Sequence, residues 1–417
     1  MVNGGAVILL AYYYPPENTS GVQRAVRIAK YLPCYGHKCY VVCSSHKGED
    51  SSIQDVFHVP NSATQTPGAD RFAKLAAWTQ RIFFPYNEQL PWVPHALAAS
   101  RAILTRDSVQ AVISTSPPVA GHLAALRLKQ RYGLKWLADF RDPILGNPNR
   151  SRRWARPYDA FLERFLLRYA DIVTTVTDAS AAELCRKYPW AAGKIQVVWN
   201  GYDPEEAFGP LPIPVRPYRL LSHIGVLYAL RHPNALMGSL ARLIRNGALD
   251  SGAFKLRFVG PLEAPNTFVQ NPAVSALREH GCIEIQGELV PRSDAMREIA
   301  TADCLLLIDI VNLSGAGYTV PAKLYDYIRA GRPILAITHP NSPVERILAG
   351  CGLPYVCLYH HDPDALVDQK LLGFLRLPSR PVSPSDWFVE QFDGRRQAGK
   401  IAALLNAQSS QPAFEAG

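Results

Sequence analysis

The chain has 417 residues, 48% of them apolar and 19% charged, enough for two globular domains that each bury a core. No apolar run approaches the length of a membrane span, and the first one, 6–11, is too short for a signal-peptide core. The net charge of +9 is uneven: residues 1–205 hold 24 Lys+Arg against 16 Asp+Glu, and the remainder 20 against 19. An excess confined to one half suits an anionic membrane surface, an anionic acceptor, or a solvated face with no partner. Nucleic acid is disfavoured, because no aromatic-basic RNA motif accompanies the charge. The eight cysteines form no CxxC pair, which gives no zinc pattern and fits buried, reduced thiols.

In chain order, 7–12 reads as a first strand. Its loop, Tyr14-Pro15-Pro16-Glu17-Asn18-Thr19-Ser20-Gly21, leads into a helix over 23–32 with Arg24 in the first turn, and 39–43 is a second strand. Gly21 permits close backbone approach at the carboxyl end of a strand, where open α/β sheets bind ligands. Residues 44–95 read as irregular. A helix over 96–105 and a strand over 111–114 follow, then a Thr-Ser-Pro-Pro turn, a helix over 120–131 that contains His122, and a strand over 135–138. The strand ends in Asp139-Phe140-Arg141-Asp142-Pro143. Asp142 there either polarises an acceptor hydroxyl or joins Asp139 and Arg141 in a structural ion cluster. Arg150, Arg152, Arg153 and Arg156 surround Trp154, a composition that suits a membrane interface as well as a solvated loop. A helix over 157–169, a strand over 172–176, a helix capped by Asp178 or Ser180, and a strand over 195–199 complete this half.

Residues 204–217 contain five prolines and read as a linker. A second series begins at 220–224, with Gly225 in its loop and Arg231 beyond. It continues with a helix over 233–246, strands over 255–259 and 282–286, and a helix over 292–301. The apolar run 303–310 precedes Ser314-Gly315-Ala316-Gly317-Tyr318-Thr319-Val320-Pro321-Ala322-Lys323, where a helix starts near Pro321. A glycine loop feeding a helix N-terminus offers backbone N–H groups to an anion, and Lys323 adds charge there. The glycines by themselves fit an ordinary βαβ turn. A strand over 334–337 and a helix over 343–349 follow. His360-His361-Asp362-Pro363-Asp364 reads as a helix start with Asp362 at the N-cap, so no metal site is assigned. Residues 386–406 read as one long amphipathic helix. Gly315 and Gly317 do not make the dinucleotide-binding glycine pattern, which disfavours an NAD enzyme.

These motifs resemble the retaining glycosyltransferases of the GT-B fold, specifically glycosyltransferase family four. The resemblance runs along nearly the whole chain. Gly317-Tyr318-Thr319-Val320-Pro321-Ala322-Lys323-Leu324-Tyr325-Asp326-Tyr327 is similar to the family's EX7E region in its Gly-x-x-x-Pro-x-Lys-Leu-x-Glu-Tyr variant, with Tyr318 at the first acid and Asp326 at the second. Tyr14-Pro15-Pro16, Ser20-Gly21 and Arg24 resemble its N-terminal phosphate loop. Gly36-His37-Lys38, Asp139-Phe140-Arg141-Asp142-Pro143, Asn200-Gly201-Tyr202-Asp203 and the nucleobase loop around Val290 resemble further family elements. The resemblance implies an α/β, GT-B chain: two Rossmann-like β/α/β domains facing across a cleft. Residues 1–205 would be the acceptor-side domain, 206–217 the linker and 218–384 the nucleotide-sugar domain. Residues 385–407 would be a helix packing back on the first domain, and 408–417 a frayed tail.

By the same resemblance, Asp142, Lys323, Arg231 and His122 are the catalytic candidates. Ser20, Gly21, Arg24, Gly225, Gly317, Tyr318, Thr319, Lys323, Asp326 and Val290 are the donor-binding ones, with no metal and no cofactor. The implied reaction moves a sugar from a nucleotide-sugar to a saccharide or lipid-linked saccharide, with retention, in bacterial cell-surface polysaccharide synthesis. The enzyme would be cytoplasmic, peripheral at the inner face of the membrane. Tyr318 keeps a second expectation open, an inactive glycosyltransferase-like subunit that binds a partner or a membrane.

Overall fold

The run Ala6–Leu10 is apolar and buried on both sides, which makes it a central strand, β1. Side chains alternate along it: Ile8 and Leu10 face one apolar layer, Val7 and Leu9 the other. Around it lie β2 (Cys39–Ser44), β3 (Val56–Val59), β4 (Val109–Ser116), β5 (Lys135–Phe140), β6 (Ile172–Thr175) and β7 (Ile195–Val197). The order is β3-β2-β1-β4-β5-β6-β7, with every neighbouring pair parallel. The helices Trp92–Arg106, Ala120–Tyr132, Arg156–Tyr169 and Asp178–Lys187 cover one face. Val22–Tyr31 and Gly394–Asn406 cover the other.

A second parallel sheet contains β8 (Arg219–Ile224), β9 (Phe254–Val259), β10 (Ile283–Gln286), β11 (Cys304–Ile308), β12 (Ile334–Thr338) and β13 (Tyr355–Tyr359), in the order β10-β9-β8-β11-β12-β13. In each sheet the strand order reverses beside the first strand of the series, between β1 and β4 and between β8 and β11. Loops at the carboxyl ends diverge at such a point and leave room for a ligand. By contacts the chain divides into Met1–Asp203 with Gly394–Gly417, and Pro204–Asp393. The structure, a computed structural model, describes residues 5–17, 21–44, 55–61, 89–147, 153–206, 214–229, 231–310 and 320–407. Most of the expected linker, at 207–213, and the expected tail, 408–417, lie outside these residues. No helix among the described residues is long and apolar enough to cross a membrane.

Several local expectations are corrected. Residues 386–406 are two helices, Asp386–Phe392 and Gly394–Asn406. Asp393 is extended, and the Gly394 N–H donates to the Tyr202 carbonyl at 2.9 Å instead of continuing a helix ladder. The stretch read as irregular contains β3, a short edge strand only half-buried, whose apolar signal is correspondingly weak. Helix Asp178–Lys187 is capped by Thr177, which accepts from the Ser180 N–H, and neither Asp178 nor Ser180 is the cap. Asp362 does not cap the helix Asp364–Leu375. It accepts from the Tyr359 N–H and from Lys370.

The most heavily committed charge in the first unit is Asp139, at the end of β5 and fully buried. Arg24 donates to both its oxygens, at 2.8 and 2.7 Å, Thr174 donates at 2.7 Å and Thr115 at 3.0 Å. Burial alone would raise its pKa, but the Arg24 charge and these hydrogen bonds outweigh it and hold the carboxyl below the ordinary range. One side chain thus ties β4, β5 and β6 to the helix Val22–Tyr31. Removing Arg24 strands a buried carboxylate, so Arg24→Met is expected to cost about 3–5 kcal/mol. Urea unfolding checks this; a loss below about 1 kcal/mol would show that the pair does not hold the sheet edge.

Candidate active site

In the first unit the site candidates gather at the carboxyl ends of β1, β4 and β5. Gly21 begins the helix Val22–Tyr31 with no side-chain cap. A Cβ on it would meet the Arg141 guanidinium, which glycine lets lie directly against the backbone. Arg141 is held from behind: Nε donates to the Ser116 carbonyl and Nη2 to that of Pro117, both at 3.0 Å. Burial lowers its pKa, against the opposing pull of Asp142 and Asp139. Asp142 is half-buried and accepts no hydrogen bond from any described residue. Burial raises its pKa, Arg141 lowers it and Asp139 raises it further. A carboxylate shifted upward with free lone pairs is suited to take a proton or orient a hydroxyl.

Two expected contacts in this unit are placed otherwise. Arg24 is buried and fully committed, to Asp139 and to the Trp199 carbonyl at 3.0 Å, which leaves it no free edge for a phosphate. His122 is fully buried beside Phe140, with ring centroids 4.6 Å apart. The Trp136 Nε1–H donates to the Ser114 hydroxyl at 2.8 Å, and that hydroxyl is hydrogen-bonded to His122 Nδ1 at 2.7 Å. The His122 Nε2 meets no partner. Burial pushes the His122 pKa down to about 3, so this ring stays neutral.

In the second unit the decisive group is Lys323, the first residue of the helix Lys323–Arg329. Its Nζ donates to His223 Nε2 at 2.9 Å and lies 3.4 Å from the Val226 carbonyl. His223, at the end of β8, donates from Nδ1 to the Leu306 carbonyl at 2.9 Å, which fixes the tautomer and leaves Nε2 as acceptor. Burial and the adjacent Lys323 charge press the His223 pKa far down, so the ring stays neutral. Gly225 has φ +100°, and a Cβ on it would lie 3.2 Å from Lys323 Nζ, so the turn needs glycine both for its conformation and for the lysine. No described carboxylate forms a salt bridge with Lys323. Burial, then the Arg231 charge, lower its pKa well below the ordinary lysine range.

Arg231 is likewise without a direct carboxylate, and its Nε is buried without a partner. Burial lowers its pKa, and Asp309 is the largest opposing charge. Asp309, at the end of β11, accepts from the Ile310 N–H at 2.8 Å and from Thr338 at 3.1 Å, and burial raises its pKa. His223 and Asp309 were not singled out from sequence. Each is a polar residue at the carboxyl end of an otherwise apolar strand beside the switch point, and that placement is the signal that identifies them.

Asp326 stands apart from this pair. It is 6% exposed, and Arg292 donates to its two oxygens at 2.8 and 3.0 Å while also gripping Glu206 at 2.9 and 2.7 Å. Its carboxylate is engaged within the fold, which argues against the ribose contact expected for it. Val290 is half-buried in the loop just before Arg292. Ser20, Gly317, Tyr318 and Thr319 lie outside the described residues. Among the described residues no group of three or more His, Cys, Asp or Glu is placed to hold a metal.

Residues 20–206 match the family model described as Glycosyltransferase Family 4. The chain has the GT-B glycosyltransferase fold. Its two Rossmann-like sheets match sucrose-phosphate synthase from Thermosynechococcus elongatus at TM-score 0.61 and 12% identity, over 96% of this chain and 95% of that one. They also match WaaG, a glycosyltransferase involved in lipopolysaccharide biosynthesis, at 0.57 and 16%, over 96% and 100%. Alr3699/HepE from Anabaena, solved in complex with UDP-glucose, matches at 0.59 and 11%, over 96% and 99%. At these identities the likeness speaks for the fold alone. No curated protein matches the sequence.

Two predictions follow from the cationic pair. Anion binding needs Lys323 protonated, so UDP affinity, measured by calorimetry, should fall with rising pH well before an ordinary lysine titrates. Lys323→Arg should move that loss upward, since a guanidinium keeps its proton. Affinity that holds flat into the ordinary lysine range would remove Lys323 from the contact. His223→Leu should lower UDP affinity about tenfold with the fold intact, by releasing the lysine from its acceptor, and His223→Gln should restore part of it.

Proposed function

We propose that the protein is a nucleotide-sugar glycosyltransferase acting on a saccharide or lipid-linked saccharide, with retention, in bacterial cell-surface polysaccharide synthesis. It works in the cytoplasm, peripheral at the inner face of the membrane. The observation that carries this reading is Lys323 and Arg231, two partly buried cations with no salt-bridge partner among the described residues, beside a glycine turn at the switch point of the second sheet. Cleaving a nucleotide-sugar develops negative charge on the departing diphosphate, and fixed positive groups aimed at that charge lower the barrier. Lys323 and Arg231 are assigned to it, in place of a metal ion. Asp142 is assigned to the acceptor hydroxyl, and its raised pKa brings its titration nearer to neutral pH. Retention and the acceptor class come from the family resemblance. The lipopolysaccharide role of the structurally similar WaaG agrees with a cell-surface product.

A second reading, a glycosyltransferase-like subunit without turnover, draws on one observation. Arg24 and Asp326, both at family donor positions, are committed to internal ion pairs. A panel of UDP-, GDP-, ADP- and dTDP-sugars with lipid-linked acceptors separates the two by nucleotide release. Turnover with at least one donor is expected. No turnover with any donor, and no shift of the melting temperature by any, would leave only the second reading. In the active pair, Lys323→Ala should cut kcat/KM by about 10²-fold or more with the fold intact. Asp142→Asn should lower kcat and abolish the acid limb of the pH profile, where activity falls as pH drops through the raised Asp142 pKa.

A further inference from the structure

Three of the four helices on one face of the first unit present no outward carboxylate. The helices Trp92–Arg106 and Ala120–Tyr132 contain no Asp or Glu. The neighbouring helix Arg156–Tyr169 contains two, and both point inward: Asp159 is 1% exposed, and Glu163 is 0% exposed with its carboxylate accepting from the Ile144 and Leu145 N–H groups. Outward from the three helices stand Arg101, Arg106, Arg127, Arg131, Arg164 and Arg168. The carboxylates at the margin are answered by lysines, Asp171 by Lys129 and Asp107 by Lys38.

Apolar surface lies within this charge. Phe161, Phe165 and Tyr169 recur at helical spacing on one side of Arg156–Tyr169, their rings in contact at 5.8 and 4.9 Å. Phe161 is 65% exposed. Phe165 also lines an open groove of about 400 Å³ together with Leu90, Val93, Leu123, Leu126 and Arg127. A solvated face would show charges of both signs and few exposed rings. This one combines a single sign of charge, interfacial aromatics and an apolar groove, which together match the headgroup and upper acyl layer of an anionic bilayer.

We propose that this three-helix face binds anionic phospholipid, with the arginines on the headgroups and with the Phe161–Tyr169 edge and the groove taking apolar lipid. The proposal refines the membrane-facing part of the function proposed above and stands independently of the donor chemistry. The test is co-sedimentation of the whole protein with vesicles of phosphatidylcholine, or of equal parts phosphatidylcholine and phosphatidylglycerol. Binding to the second kind alone, weakened by salt, is expected. The double variant Arg127→Glu with Arg164→Glu should weaken it about tenfold or more, and Phe161→Ser should weaken it in a manner that salt does not mimic.

Equal binding to both vesicles, no binding to either, or full binding by the variants would overturn the proposal. So would a dimer in light scattering that the same variants dissociate, which would make a second copy the occupant. Nucleotide release is measured in parallel with a soluble acceptor. In the unsubstituted protein, no vesicle binding with intact release sinks this proposal alone, and no release with intact binding sinks the catalytic one alone.

Discussion

The second unit depends on a charge that its fold leaves unanswered. Arg231 stands close enough to lower the Lys323 pKa, and the described residues around the two offer a neutral imidazole, a carbonyl and a carboxylate held at a distance. Two half-buried cations without a counter-ion are destabilising, and in the absence of a ligand the fold bears that cost. The unfolded chain holds the Lys323 proton more tightly than the folded one. This contribution to stability therefore improves as pH climbs from the depressed pKa toward that of an ordinary lysine. A bound dianion reverses the balance, raising the lysine pKa and removing the repulsion.

Several other partly buried cations are paired with carboxylates. Arg24 has Asp139, Arg292 has Asp326 and Glu206, and Arg242 has Asp364 and Asp368. Among the described residues no carboxylate forms a salt bridge with Lys323, in contrast to these pairs. The same contrast decides between residues that sequence motifs group together. Arg24 and Lys323 both sit in the first turn of a helix that follows a glycine loop. One has become part of the core and the other has not.

The alternation of two β/α series was legible because its signals are dense: buried strands of five or six apolar residues, glycine turns and Pro-rich punctuation. What escaped has a physical reason in each case. β3 is short and half-buried, so it lacks an apolar run. The break at Asp393 follows from a backbone bond to Tyr202, nearly two hundred residues away in sequence. At the site, Lys323 and Gly225 were legible because helix start and turn chemistry are local. The commitments of Arg24 and Asp326 were not, because their partners, Asp139 and Arg292, lie 115 and 34 residues away. His223 was missed because its role is set by a tautomer, fixed through a carbonyl of a neighbouring strand.

A common rule joins the site to the three-helix face of the first unit. A protein of this size can place carboxylates where they answer its own arginines or where they do not, and both choices appear. Asp159 and Glu163 occupy the inward positions of Arg156–Tyr169, and Glu163 spends its charge on backbone N–H groups of the loop that follows Asp142. That gives two backbone N–H groups of the loop an acceptor and keeps the carboxyl group off the surface. Turning such a carboxylate outward would cost the loop its acceptor and give the face an opposing charge. Among the described residues, Asp309 is engaged by Ile310 and Thr338 and Glu163 by the Ile144 and Leu145 N–H groups, so neither pairs with a nearby arginine, and both proposals made above start from that placement.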